Sequence, residues 1–238
     1  MMRTALVTGA SGGIGSATAR DLGRDFDVVV HYNSDRESAE AVAEDVEEHG
    51  RAAIVHQCDV SDPDAVEAMF DRARDELGEI DVLVNNAAVL RMAPLETASN
   101  DDVQRTLRIN LEGAVYCARA VLPEMRDRGE GWIVNVSSTA GLVGSPSDVV
   151  YGASKGGLLG FTKSLAKQYT EHGVFTNAVA PGPVKTEMFA EERRPATREE
   201  SPIGRLITPE EVAEVIRTFA TTTSMTGQTL VVDGGIRL

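Results

Sequence analysis

Tyr151 and Lys155 stand four residues apart in Tyr151-Gly-Ala-Ser-Lys155, and Ser138 lies thirteen residues upstream. On a helix, residues at i and i+4 share a face, so a phenol and an ammonium enter the same space. The positive charge favours phenolate and is expected to lower a phenol pKa that is ordinarily about 10. Such a tyrosine exchanges a proton with an alcohol or a ketone near neutral pH. Ser138 closes an apolar run, where its hydroxyl can donate to a substrate oxygen as charge builds there. Asn110 is an amide in an otherwise apolar helical pattern. Once buried it needs partners: either a water leading toward Lys155 or a purely structural set of hydrogen bonds.

A second group lies near the N-terminus, in Thr8-Gly-Ala-Ser-Gly-Gly-Ile-Gly15. It follows an apolar strand-like run and opens a helical pattern. Glycines there permit a tight turn and let backbone N–H groups approach a pyrophosphate at a helix N-terminus. The spacing Gly9-x3-Gly13-x-Gly15 differs from the GxGxxG fingerprint and by itself also fits a structural turn. Asn85-Asn86-Ala87-Ala88 ends another strand-like run; its amides can tie loops together, and its alanines leave room for a flat ligand. Asp59 is placed either to accept from an adenine amino group or to cap the helix beginning near Asp62.

These groups need a scaffold. Strand patterns over Thr4–Thr8, Asp27–His31, Ala52–Gln57, Asp81–Asn85, Trp132–Val136, Phe175–Ala180 and Thr229–Val232 alternate with helical ones. The helices are expected over Gly13–Gly23, Arg36–His49, Asp64–Leu77, Asn100–Arg128 and Tyr151–His172, with one more near the C-terminus. Apolar strands separated by helices predict a single-domain, doubly wound (Rossmann-type) α/β fold. Its seven-stranded parallel sheet would carry helices on both faces and ligands at its carboxyl edge. A Pro-punctuated, charged stretch over Pro181–Thr208 is the least regular part of this single domain.

Composition narrows the function classes. Length and a 42% hydrophobic content suit one domain with a substantial core. No apolar run approaches a membrane span, and the N-terminus enters a strand pattern at once, so a cytoplasmic protein without a signal is expected. Cys58 and Cys117 lack metal or disulfide spacing, and no metal is expected. A net charge of −14, with only Lys155, Lys163, Lys167 and Lys185 as lysines, argues against nucleic acid or anionic membrane as partners. The carboxylate excess points to a halophilic source, where salt screens the self-repulsion.

Together the glycine turn, Asn85-Asn-Ala-Ala88, Asn110, Ser138, Tyr151-x3-Lys155 and Pro181-Gly182 resemble the short-chain dehydrogenase/reductase family over almost the whole chain. The resemblance implies a catalytic tetrad of Asn110, Ser138, Tyr151 and Lys155 with a nicotinamide cofactor. Tyr151 would be the acid/base and Ser138 would hold the substrate oxygen. Lys155 would bind the nicotinamide ribose, and Asn110 would anchor a relay water. Further cofactor contacts would come from Gly9, Ser11, Gly12, Gly13, Ile14 and Gly15, from Asp59 and Val60, and from Asn86, Ala87 and Ala88. Pro181, Gly182, Val184 and Thr186 would flank the nicotinamide, and the stretch over about 183–207 would be the substrate lid. Tyr32 stands where NAD-preferring relatives are acidic, and Asn33, Ser34 and Arg36 can hold a 2′-phosphate, although Asp35 is near. NADP(H) is therefore expected over NAD(H).

Leu90, Met92, Leu142, Val143, Met188 and Phe189 suggest an apolar pocket wall. The chain looks most like the reductases of 3-oxoacyl thioesters carried on acyl-carrier protein or coenzyme A, coenzyme A being favoured by the acidic surface. Arg193, Arg194 and Arg198 are candidates for a carrier phosphate, with nearby glutamates compensating. The alternatives are a sugar or polyol dehydrogenase and a catalytically silent dinucleotide sensor. The resemblance also implies a homotetramer packed through the long Asn100–Arg128 and Tyr151–His172 helices.

Overall fold

A computed structural model describes residues 3–186, 188 and 201–237. Seven strands form one parallel sheet in the order β3-β2-β1-β4-β5-β6-β7. They are β1 (Thr4–Val7), β2 (Asp27–Tyr32), β3 (Ala53–Gln57), β4 (Ile80–Asn85), β5 (Gly131–Val136), β6 (Val174–Pro181) and β7 (Thr229–Val232). The central strands are apolar runs because both of their faces are covered. Strand order reverses between β1 and β4, which leaves a crevice at the carboxyl edge where the two connections part.

Helices α1 (Gly13–Leu22), α2 (Arg36–Glu48), α3 (Pro63–Leu77), α4 (Asn100–Leu107), α5 (Gly113–Arg128), α6 (Ala140–Val143), α7 (Val149–Tyr169) and α8 (Pro209–Phe219) join or follow the strands. Side-chain acceptors start most of them: Asp35 caps α2, Asp62 caps α3, Ser99 caps α4 and Asp148 caps α7. At α8, Thr208 and Glu211 form a reciprocal capping box. Two expected helices differ in detail. Asn100–Arg128 is continuous but contains a π turn at Arg108–Glu112, which holds Asn110. The Tyr151 helix begins earlier, at Val149, because the Asp148 carboxylate accepts from the Tyr151 N–H. Leu95–Thr97 and α6 are short helical turns that the sequence pattern did not predict.

Apolar side chains fill both faces of the sheet. Phe26, Trp132, Val134 and Phe219 belong to one cluster, and Met69, Phe70, Leu83, Met125 and Ile133 to the other. A polar ladder crosses this core. Asn85 and Asn135 are register partners on β4 and β5. Asn85 Nδ2 donates to Asn135 Oδ1 (2.9 Å), Asn135 Nδ2 donates to Thr162 Oγ1 (2.9 Å), and that hydroxyl donates to Leu158 O (2.7 Å). The ladder therefore ties β4, β5 and α7 together where unpaired amides would be costly.

Gly15 sets how closely α1 approaches the end of β1. A Cβ at Gly15 would fall on the Gly9 carbonyl oxygen and crowd the Asn86 amide, neither of which is a flexible chain end. Gly15→Ala is expected to lower stability by roughly 1–3 kcal/mol or more and to weaken dinucleotide binding. A urea denaturation curve with an unchanged midpoint would contradict this.

Candidate active site

An open cleft of 920 Å3 runs along the carboxyl edge, from the β1–α1 turn to the start of α7. Its floor is a network around the glycine turn. Gly9 and Gly13 have φ of 64° and 54°, left-handed values that favour glycine. Thr8 Oγ1 accepts from the N–H groups of Asn86 (2.9 Å) and Ala87 (3.0 Å). The Asn86 amide donates back to Thr8 O (2.9 Å) and Gly9 O (3.1 Å). His31, at 1% exposure, completes the turn: its Nδ1 accepts from Gly9 N (2.9 Å), and its Nε2 lies 3.0 Å from Cys58 O. Those partners require a neutral ring with the proton on Nε2.

Burial depresses the His31 pKa to about 4, the Cys58 carbonyl opposing only in part. A depressed imidazole pKa means that the unfolded chain takes up a proton first. Stability is then fully present above about pH 6.5 and is lost as pH falls through about 4. The shift corresponds to about 3 kcal/mol. Removing the ring in His31→Gln is expected to flatten this acid limb; equal slopes for the two proteins between pH 6.5 and 4 would exclude it.

Gly12 tests whether the cleft suits a dinucleotide. Its backbone is extended, and among the described residues a Cβ added there would meet no atom within 4 Å apart from those of its chain neighbours and its own helix backbone. Nothing in the fold itself demands glycine at this position, but a ligand lying close would. Gly12 also makes no side-chain cap for α1, so the first N–H groups of that helix remain available to an anion. The residues present therefore fit a pyrophosphate.

At the other end, Lys155 is buried, and its Nζ donates to Val136 O (2.8 Å) and lies 5.7 Å from the centre of the Tyr151 ring. The Ser138 side chain is near enough to the Tyr151 phenol to act on its ionisation. Ser138 Oγ in turn accepts from Ala140 N (3.1 Å), while neighbouring Ser137 donates to Lys155 O (2.8 Å) and so pins α7. The expected lowering of the tyrosine pKa is overturned here. Burial raises it above its ordinary value, the Ser138 side chain opposes this, and the Asp148 charge adds a smaller upward push. Burial also pushes Lys155 down to about 7, which weakens the positive charge that was expected to act on the phenol.

Most residues expected to hold the cofactor meet in this cleft. Gly9, Ser11, Gly12, Gly13, Ile14, Asn33, Ser34, Asp59, Val60, Asn86, Ala87 and Ala88 line it. So do Ser138, Tyr151, Lys155, Pro181, Gly182, Val184 and Thr186. Gly15 supports the wall from behind. Three placements differ from expectation. Tyr32 is buried in the core beneath β2 rather than facing the cleft. Arg36 is exposed and paired with Glu40 (2.7 Å), one turn along α2. Asn110 uses its side chain on Val89 N (2.7 Å), Val89 O (2.9 Å) and Ser154 Oγ (3.1 Å), not toward Lys155. Asp59 is not the α3 cap, a role held by Asp62; its carboxylate accepts from Ser61 at the cleft wall.

Leu90, Met92 and Met188 line the substrate end, whereas Leu142 and Val143 are exposed on α6 outside it. Phe189, Arg193, Arg194, Arg198 and most of the expected lid lie outside the described residues. The sequence reading missed His31, Asp148 and Arg105, all at or beside the cleft. A histidine inside the apolar run Val28-Val-Val-His31 and an Asp three residues before Tyr151 were the available signals. Among the described residues no cluster of ligands suits a metal, and no helix is long and apolar enough to cross a membrane.

Known proteins share this architecture. A family profile described as short chain dehydrogenase matches residues 3–197. The 3-oxoacyl-(acyl-carrier-protein) reductase of Synechocystis sp. is 40% identical, over 98% of this chain and 96% of its own. The 3beta-hydroxysteroid dehydrogenase 1 of Eggerthella lenta is 38% identical, over 99% and 94%. A crystal structure of a dehydrogenase/reductase from Sinorhizobium meliloti superimposes with a TM-score of 0.92 at 32% identity, covering 99% of this chain and 95% of that one. The chain belongs to the short-chain dehydrogenase family and is an oxidoreductase of the nicotinamide-dinucleotide kind.

Proposed function

We propose that the protein reduces a 3-oxoacyl thioester to the 3-hydroxyacyl thioester with NADPH. The observation that carries the reading is the meeting of Ser138, Tyr151 and Lys155 at the end of a cleft whose other end is a pyrophosphate turn. Relatives named 3-oxoacyl-(acyl-carrier-protein) reductase, at 40% and 35% identity, support the substrate class. When bound, NADPH supplies the hydride for the carbonyl carbon. Ser138 donates a hydrogen bond to the carbonyl oxygen and Tyr151 delivers the proton to it. Lys155 holds the ribose and, when protonated, replaces charge lost at the phenol. A phenol held protonated by burial suits the reductive direction.

Preference for NADPH is supported by the cleft end beyond the glycine turn. Asn33, Ser34 and Ser38 line it together with Asp35, whose carboxylate accepts from Ser38 N (3.1 Å) in capping α2 and opposes this preference. The exposed Arg36–Glu40 pair is weak enough for Arg36 to turn toward a 2′-phosphate at small cost. Exposed Leu230 and Val231 on the edge strand β7 support a homo-oligomer, taken here as a tetramer. The excess of 37 acidic over 23 basic residues supports a salt-rich cytoplasm.

The test is oxidation of NADPH and of NADH by acetoacetyl-CoA, at low salt and in molar KCl. NADPH-dependent turnover, retained or raised in KCl, is expected. Cofactor binding without turnover would reject the thioester. The Eggerthella lenta relative then favours a second reading, an alicyclic ketone or alcohol, for which exposed Met92 and Met188 offer an apolar rim.

A further inference from the structure

Outside the residues already discussed, the catalytic end holds one more buried carboxylate. Asp148 is 3% exposed and stands one helical turn before Tyr151. Its Oδ1 accepts from Tyr151 N (2.9 Å), which fixes the first turn of α7. Its Oδ2 accepts from Arg91 N (3.2 Å), in the β4–α4 connection that carries Leu90 and Met92 into the substrate end of the cleft. Asp148 N donates to Ser145 Oγ (3.2 Å), so the β5–α7 connection is drawn into the same knot. One carboxylate thus joins the proton donor's helix to the loop beside the substrate.

We propose that Asp148 is a positioning residue for the reaction, latching the substrate-side loop to the first turn of the Tyr151 helix. The proposal deepens the reading above and rests on Tyr151 as proton donor. A capping residue needs no charge, since Ser, Thr or Asn serves as well. A buried carboxylate is the costlier choice and is stable here only because two backbone N–H groups meet it. The charged and polar groups around the phenol are few. Lys155 approaches from α7, Ser138 from the end of β5 and Asp148 from the α7 cap. From the β4–α4 side, the Arg91 side chain lies 3.9 Å from Asp102 on α4 and is exposed. The Asp148 charge also pushes the Tyr151 pKa upward, by less than burial does.

Asp148→Asn and Asp148→Ser separate the charge from the cap. Asn keeps an acceptor for Tyr151 N but turns an amide donor toward Arg91 N. Ser keeps the cap and cannot span to the loop. The probe is ultraviolet titration of tyrosinate in the cofactor-free protein, with Tyr151 identified by difference from Tyr151→Phe. Both Asp148 variants are expected to ionise Tyr151 at a lower pH than wild type. With acetoacetyl-CoA, KM is expected to rise roughly five- to tenfold while NADPH affinity stays unchanged. An unchanged KM for acetoacetyl-CoA in whichever variant folds would overturn the proposal, even if the melting temperature falls. Full activity in Tyr151→Phe would instead remove the reading on which it rests, so the two failures are distinct.

Discussion

Tyr151→Phe lowers kcat for carbonyl reduction by roughly 10²- to 10⁴-fold while leaving the dinucleotide dissociation constant within about twofold, the range expected when general-acid catalysis is removed and binding is spared. The substitution deletes one hydroxyl. Its neighbour Ser138 still receives Ala140 N, and the helix cap at Tyr151 N is a backbone contact that phenylalanine preserves. Gly9, Gly12 and Gly13, proposed to hold the dinucleotide, lie at the far end of the cleft and do not depend on the phenol. Steady-state kinetics beside fluorescence titration with NADPH separates the two effects. Near wild-type turnover would take Tyr151 out of the proton transfer.

Lys155→Met is expected to abolish useful turnover and to make the fold more stable at pH 7. Burial lowers the ammonium pKa from 10.5 to about 7. That is a difference of about 3.5 units, or about 5 kcal/mol by linkage as an upper bound. Because the folded-state pKa is depressed, the unfolded chain takes up the proton first as pH falls. Stability is full above about pH 10.5, falls between 10.5 and about 7, and is lowest below 7. Methionine removes this dependence but leaves Val136 O without its donor, at a cost of about 1–3 kcal/mol. The net gain is about 2–4 kcal/mol at pH 7, or several degrees in melting temperature, and it should shrink as pH approaches 10. A variant less stable than wild type at pH 7, or a gap that does not narrow at alkaline pH, would contradict this account.

What could be read from the chain followed the range of each signal. The α/β alternation was legible because strands buried on both faces read as unbroken apolar runs such as Val82-Leu-Val84, and helices show their own period. Tyr151 and Lys155 were legible because an i, i+4 pair meets within one helix, whatever the tertiary structure does. Arg36 was placed toward a phosphate, yet Glu40 stands at the same short spacing and takes the guanidinium first. Tyr32 was assigned by position after a strand, but a one-residue step decides whether a side chain faces the cleft or the core. The direction of the Tyr151 shift was not legible at all. Proximity of a cation is written in the spacing, whereas the depth at which both groups lie is a property of the assembled sheet, loop and helix. His31 and Asp148 share that difficulty, since their partners, Cys58 and Arg91, come from elements far along the chain.

The amide ladder through Asn85, Asn135 and Thr162 separates inheritance from innovation in this molecule. It locks α7 to the strand that ends beside Asn86, so the spacing between the cofactor turn and Tyr151 is decided inside the core. Among the described residues, the surface connections after β4 and β6 take no part in that ladder. Away from Asn86, Val89 and Arg91, which are tied to the site, the connection after β4 can change its chemistry and sample new substrates without resetting the ladder. A scaffold of this kind is suited to directed evolution, with diversity placed in the two connections and the three ladder residues left untouched.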